Sequence, residues 1–398
     1  MKAIVVGGGP VGMAAALALA RENAADEIVV LEAGDALDRP SGDRNLALSV
    51  ASWRTLGALG VDLDGLPRAP IERVDVSQAG AFGYCRLEAA DAGLPMLGAA
   101  VPYPDLLAAL RAVAQRAEAA GALRVSYRTS AAAVEHQGAR AAVQLVSGER
   151  LTADIVVLAE GAASARSLLD DFRVLTRDSG QVAVLGRVRA PRAPSPTLAV
   201  ERFTPCGALA LVPRVVPAGR AAEWTLIWAR PRDEATRLLE ADRETFIEEV
   251  NAHAGPALGP LAAAEVASEG SDQRSRYPLV WRLAEPRARG AVVAIGQAAQ
   301  ALHPAAAQGL NLGLADVRAL ARALTPRGAG GPTVAARLAA FARERAPDRI
   351  FRIGFSGVLA HGFDRGGWLL DAPRGFALTA LQLFPPARRA LVRRLATR

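Results

Sequence analysis

Cysteine and lysine are nearly absent from this 398-residue chain, which has two cysteines and, in Lys2, a single lysine. Cys85 and Cys206 are too few and too far apart for a disulfide framework or a metal knuckle, and they fit a reducing cytoplasm. His136, His253 and His361 lack metal-ligand spacing and read as surface residues. No run of 18 or more apolar residues occurs, which excludes a membrane-spanning helix although 51% of the chain is hydrophobic. A strand pattern beginning at Met1-Lys2-Ala3-Ile4 leaves no room for a signal peptide, so the expected location is cytoplasmic. The net charge of +7 comes almost wholly from arginines scattered among acids, a pattern that argues against a nucleic-acid partner. There is no internal repeat.

What is present suggests two interleaved or consecutive domains. Apolar Ala3 to Val6, the turn Gly7-Gly8-Gly9-Pro10-Val11-Gly12, an Ala-rich helix and Glu27 to Leu31 form a βαβ unit. Helices are predicted over 51–59 and 105–120, and strands through 123–159, ending in Ile155-Val156-Val157-Leu158-Ala159 before Glu160-Gly161. From about 180 to 230, Val182 to Arg187, Leu198 to Phe203, Ala208 to Val212 and Trp224 to Trp228 read as short strands of a mainly antiparallel sheet. A helical stretch over 233–253 follows, then a strand over 291–295, a helix over 310–324, a loop over 326–332 and two further helical segments.

Gly7, Gly9 and Gly12 satisfy G-x-G-x-x-G between a strand and a helix. The first glycine turns the chain, the second lets a pyrophosphate approach, and the third allows close helix–strand packing. Glu32 follows Gly12 by twenty residues, where a carboxylate accepts hydrogen bonds from adenosine ribose hydroxyls. A bland Gly-rich turn would not explain the placed acid. The motif alone does not choose between NAD and FAD.

A second constellation, Gly296-Gln297-Ala298-Ala299-Gln300-Ala301-Leu302-His303-Pro304 through Gln308-Gly309-Leu310-Asn311-Leu312-Gly313 to Asp316, resembles the flavin-contacting motif of group A FAD-dependent aromatic monooxygenases. It is closest to the variant in the ubiquinone-biosynthesis hydroxylases (2-polyprenyl-6-methoxyphenol hydroxylase-like). Arg44 to Leu48 with Ser49, Ser52, Leu56 and Leu59-Gly60-Val61, Glu201 to Pro213, and Tyr277-Pro278-Leu279 resemble further family stretches, so the likeness covers nearly the whole chain. There are three departures: Gln297 for the common Asp, Glu160 for Asp, and Ala307 for the Gly before Gln308. If that glycine needs positive φ, Ala307 costs roughly 1 kcal/mol or more.

The resemblance implies an α/β fold: a Rossmann-like FAD domain (1–70, 101–175 and 285–345) with an inserted, mainly antiparallel substrate sheet (71–100 and 176–284), as in p-hydroxybenzoate hydroxylase-like proteins, and a helical C-terminus (346–398). It implies FAD held by Gly7, Gly9, Pro10, Val11, Gly12, Glu32, Arg44, Gly296, Gln297, Gln308, Gly309, Leu310 and Asn311, with Arg44 on a phosphate or ribose. NADPH or NADH would be a transient reductant, since a second strand–glycine–helix fingerprint is lacking, and O2 the co-substrate. The implied reaction is hydroxylation of a hydrophobic prenylated phenol through a flavin C4a-hydroperoxide. Other quinone-biosynthesis proteins are conceivable partners. Fold likeness also permits a soluble aromatic substrate, a halogenase or prenyl reductase, or a non-catalytic FAD-binding subunit of a quinone-synthesis complex. No Trp-x-Trp-x-Ile stretch supports the halogenase.

His303 and Pro304 are the candidates lining the flavin pocket. His303 reads either as a proton relay to a phenol or as a turn residue bonded to backbone. Trp224, Trp228, Trp281 and Trp368 read as core rather than as a substrate tunnel. The tail from Arg374 to Arg398 mixes Phe376, Leu378, Leu381, Leu383 and Phe384 with Arg388, Arg389, Arg393, Arg394 and Arg398. This basic amphipathic pattern suits either the inner face of the cytoplasmic membrane or a solvated helical tail.

Overall fold

The computed structural model describes residues 1–36, 44–161, 172–217, 219–264, 274–301, 308–325, 331–361 and 368–397. Ala3 to Val6 have the continuous apolar character of a strand covered on both faces, and they form the buried β1 (Lys2–Val6). The glycine turn leads into α1 (Pro10–Arg21), which buries Gly12 to Leu19, and then to β2 (Glu27–Leu31), parallel to β1. β3 (Asn45–Ser49) runs into α2 (Val50–Ala58), whose first turn is capped by the Ser49 hydroxyl accepting from the Ser52 N–H.

Next come β4 (Ala69–Ile71), β5 (Arg73–Gln78), β6 (Tyr84–Glu88) and β7 (Gly98–Pro102). α3 (Tyr103–Ala119) starts two residues before its apolar periodicity because Pro104 suits a first turn. β8 (Arg124–Ser126), β9 (Ala131–Gln137), β10 (Arg140–Leu145) and β11 (Arg150–Ala153) lead to β12 (Ile155–Leu158), which returns parallel to β1. β13 (Arg173–Arg189), β14 (Leu198–Thr204), β15 (Gly207–Pro213) and β16 (Glu223–Pro231) then build the second large sheet.

The single helical stretch expected over 233–253 is two helices, α4 (Arg232–Glu240) and α5 (Arg243–Ala254). The break falls where the Asp242 carboxylate accepts from the Thr245 N–H at 2.8 Å and starts a new helix. The chain continues through β17 (Ala262–Ala263), β18 (Ser275–Glu285), β19 (Ala288–Arg289), β20 (Val292–Ala294) and β21 (Gln300–Ala301). It ends in α6 (Gln308–Leu324), α7 (Val334–His361), α8 (Trp368–Leu383) and α9 (Pro385–Thr397). The tail read as one amphipathic stretch is thus broken at Phe384, ahead of Pro385-Pro386.

One sheet has the order β19-β20-β12-β1-β2-β8, with parallel pairing from β20 through β8, and α1 packs on α3 and α6 beside it. The other runs β21-β18-β13-β16-β15-β14-β5-β6 and is antiparallel except where β14 meets β5. This is the expected α/β architecture with an inserted, mainly antiparallel sheet. Trp224 and Trp228 are fully buried in the second sheet's core, and the Trp224 indole N–H donates to the Leu198 carbonyl at 2.8 Å. His253 is not a surface residue as expected. It is half-buried with its ring 5.0 Å from that of Trp228 and its Nδ1 2.9 Å from the Glu249 carbonyl. His136 is also partly buried, near Gly290. No helix among the described residues is long and apolar enough to cross a membrane.

Candidate active site

The three motif glycines are needed for different reasons. Gly7 has φ +104°, and a Cβ there would lie 2.9 Å from the Glu160 Cα, against the backbone that follows β12. A Cβ on Gly12 would sit 1.8 Å from the Gly7 carbonyl oxygen. Gly9 differs: its backbone is ordinary (φ −70°, ψ 179°), and a Cβ would meet nothing within 4 Å. The protein's own packing does not demand glycine at position 9, and the space on that side is open to a bound group. α1 opens there with Pro10, without a side-chain cap and without an acid in its first turn. The N–H groups of Val11 and Gly12 have no intrahelical partner, and the positive end of the helix dipole faces the same space. An anion of pyrophosphate type fits.

At the end of β2, the Glu32 carboxylate accepts from the Gly8 N–H at 2.6 Å and the Gly34 N–H at 2.8 Å. Each oxygen keeps a further lone pair for ribose hydroxyls. A Cβ on Gly8 would fall 2.6 Å from the same carboxylate, which is why the turn and the acid can lie so close.

The second motif meets the first at Val11. Gly296 has φ +58°, and a Cβ there would lie 3.0 Å from one Val11 methyl; a Cβ on Gly313 of α6 would lie 2.7 Å from the other and 3.2 Å from the Gly296 Cα. Only glycine on both sides lets the start of α1, the turn after β20 and the first turns of α6 close around one valine. Gln297 is exposed, its side-chain oxygen facing Gly161. Gly309 has open space at its Cβ position and Leu310 is partly buried against the core. Asn311 is buried; its side chain accepts from the Ser49 N–H at 2.8 Å and donates to the Ala47 carbonyl at 3.0 Å. Gln308 opens α6. His303, Pro304 and Ala307 lie outside the described residues.

Arg44 precedes β3 with its guanidinium 5.0 Å from the Tyr103 ring centre and 5.5 Å from that of Tyr277. Burial pushes the Tyr103 phenol above its ordinary value, with the nearby Arg44 charge opposing and Glu32 adding. Arg44, Tyr103 and Glu32 therefore share one neighbourhood although they come from three separate stretches.

Residues 1–348 match a family described as FAD binding domain. The chain belongs to that family. It is an FAD-dependent monooxygenase, and FAD with NAD(P)H and O2 is the usual set for this class. The family's cofactor agrees with the open side of Gly9, the uncapped N-terminus of α1 and the placed Glu32. The chain is 29% identical to "Ubiquinone hydroxylase UbiL" of Rhodospirillum rubrum over 394 residues, which cover 98% of this chain and 88% of that protein. It is 28% identical to the Escherichia coli 3-demethoxyubiquinol 3-hydroxylase over 326 residues, 79% of this chain and 77% of the other. A crystal structure of Pseudomonas aeruginosa PqsL in complex with 2-aminobenzoylacetate superposes with TM-score 0.76 at 20% identity, over 96% of this chain and 99% of that one.

Sequence reasoning placed Asp316 at the end of the second motif but missed the partners that lie behind the 296–301 segment. Asp316, fully buried on α6, pairs with Arg287, accepts from Arg345 Nε at 2.9 Å, and accepts from the Gln300 amide at 3.3 Å. Arg349 of α7 donates to the carbonyls of Ala284 at 2.9 Å and Ala299 at 3.1 Å and pairs with Glu285 at 2.7 Å. These arginines hold the 296–301 segment against β18 and α6. The chain's many scattered arginines gave no signal that four of them, Arg287, Arg345, Arg349 and Arg352, would be largely enclosed together.

Proposed function

We propose that this monooxygenase hydroxylates the aromatic ring of a polyprenylated phenol in ubiquinone biosynthesis. The observation that carries the substrate class is the end-to-end likeness to the ubiquinone hydroxylase of Rhodospirillum rubrum, which spans the substrate sheet as well as the cofactor segments. The likeness to the E. coli demethoxyubiquinol hydroxylase points to the same class. FAD, when bound and reduced by NAD(P)H, would supply the activation of O2, one oxygen atom of which goes to the ring while the other leaves as water.

The protein's residues bind and position. The N-terminus of α1 takes the pyrophosphate, Glu32 the adenosine ribose, and Arg44 a neighbouring phosphate or ribose group. The beginning of α6 would lend the positive end of its helix dipole to the flavin and so favour an anionic form of it. Asn311 fixes that helix to β3, and Arg349 with Asp316 fixes the segment from Gly296 to Ala301. The second sheet, with its closed Trp224 and Trp228 core, offers a rigid wall for an aromatic ring.

The test is mass spectrometry of quinone intermediates in cells lacking the protein, together with donor oxidation by the purified FAD-loaded enzyme. A prenylated phenol one hydroxyl short supports the proposal and identifies the carbon. Unchanged quinones with turnover of a small phenol would instead show a soluble substrate. Retained FAD without donor oxidation on any phenol would show a non-catalytic subunit.

A further inference from the structure

The family match ends at residue 348, and the chain adds two helices beyond it whose outward face has an unusual composition. α8 is held to the second sheet along one side. The Gln78 amide donates to the Asp371 carbonyl at 3.0 Å, the Arg86 N–H donates to the Gln382 side chain at 2.8 Å, and Gly375 packs against Gly83 so closely that a Cβ on Gly83 would lie 2.5 Å from the Gly375 Cα. α9 is pinned by a two-pronged Arg388–Asp91 pair at 2.8 and 2.9 Å.

Among the described residues, the opposite side is apolar. Every exposed position from 372 to 386 is Ala, Pro, Phe or Leu: Ala372, Pro373, Phe376, Ala377, Ala380, Leu383, Phe384, Pro385 and Pro386. Phe376 is 66% exposed, Leu383 76% and Phe384 59%. At helical spacing these residues form a single stripe down α8 that continues over the turn into α9. The next exposed charges are Arg389 and Arg393, one helical turn apart on α9. The four arginines of α9 therefore do not act alike. Arg388 is paired inward and Arg394 stacks 3.5 Å over the Phe351 ring, while Arg389 and Arg393 face out at the edge of the stripe.

We propose that this stripe and its two arginines are a docking face for an anionic lipid bilayer, on which α8 lies in the plane of the interface. A docked helix needs an apolar face reaching the acyl boundary and cations level with the headgroups, and the exposed residues of α8 and α9 are arranged in that way. A contiguous apolar patch of this kind is unusual on a soluble surface and marks a binding face. An arginine edge repels a second copy of itself and attracts anionic headgroups, which favours lipid as the occupant. The proposal holds whichever ring compound is hydroxylated.

The experiment is flotation of the FAD-loaded protein with vesicles of phosphatidylcholine alone or mixed with phosphatidylglycerol, with molecular mass measured by light scattering. The wild type is expected to float with the mixed vesicles and much less with the neutral ones. Arg389→Gln with Arg393→Gln should weaken partitioning about thirtyfold, the combined effect of two surface arginines. Ala380→Glu with Leu383→Glu should abolish it, with FAD content unchanged in both variants. Failure to float, equal floating with neutral vesicles, or variants that float like the wild type would overturn the proposal. So would a wild-type dimer that becomes a monomer in Leu383→Glu, because the stripe would then be covered by a second copy.

Discussion

The Ser49 N–H donates to the side-chain oxygen of Asn311 at 2.8 Å, joining the strand after Arg44 to the first turn of α6 across 262 residues of sequence. The same amide donates to the Ala47 carbonyl, so Asn311 stands in for a peptide group along the edge of β3. Asn311→Ala leaves a donor and an acceptor unmade at about 1–3 kcal/mol each. Asn311→Asp keeps the bond from Ser49 but turns an oxygen toward the Ala47 carbonyl. Both variants should bind FAD more weakly, with lower melting temperatures in calorimetry. An unchanged FAD affinity in Asn311→Ala would show that the bridge does not position the helix.

Gly9 and Gly12 should separate in a way that isolates the cofactor. Gly12→Ala places a methyl 1.8 Å from the Gly7 carbonyl and should unfold the turn, lowering the melting temperature of the FAD-free protein. Gly9→Ala meets nothing within 4 Å and keeps an allowed φ, so the FAD-free protein should melt as the wild type does. Its FAD affinity should nevertheless fall at least tenfold, read by fluorescence quenching on titration, because the methyl takes the side reserved for the pyrophosphate. Normal FAD binding in Gly9→Ala would place the pyrophosphate elsewhere.

The contrast between these residues shows what the sequence made legible. Gly7, Gly9, Gly12 and Glu32 are local: a strand, a turn and a helix impose their spacing, so the βαβ unit and its acid can be read in order. The antiparallel strands of the second sheet were legible for the same reason, through short apolar runs between Pro and Gly turns. Asn311 was legible only as part of a motif, since nothing local shows that its amide pairs with β3. Tyr103 beside Arg44, and the enclosure of Arg349 between Ala284 and Ala299, depend on contacts between distant stretches and left no periodic trace. The helix predicted over 233–253 failed at one residue, Asp242, whose capping bond outweighs continued periodicity.

Asp316 closes the second motif, but its arginine partners left no signal in the sequence, and it should be the most sensitive residue of that buried cluster. It is fully buried and faces Arg287, itself 3% exposed, and Arg345. Asp316→Asn keeps the shape and removes the charge, leaving two enclosed guanidinium groups without it, at about 3–5 kcal/mol. The expected result is a large fall in melting temperature and loss of FAD on gel filtration. Asp316→Leu combined with Arg287→Met removes both charges of the closest pair and should recover part of the loss. A double variant no better than Asp316→Asn would mean that Arg345 carries most of the interaction.

Cys85 gives the chain an alkaline weakness that can be measured separately from FAD. The thiol is fully buried on β6 among Leu87 and Val392, and burial pushes its pKa up from 9.0 to about 11, with Arg388 opposing the shift. In the unfolded chain the thiol ionises near the lower value, and in the folded protein near the higher. Between the two, the folded state holds more protons, so stability is complete below about pH 9 and declines as pH rises toward 11. The thiol should resist alkylation by iodoacetamide at pH 8 in the folded protein and react once denatured. In Cys85→Ala, the melting temperature should start lower because a buried group is lost, but its decline from pH 9 to 11 should be shallower than in the wild type. An identical slope in the two proteins would mean that other groups, such as Tyr84, pushed up to about 12 chiefly by burial, set the alkaline limit.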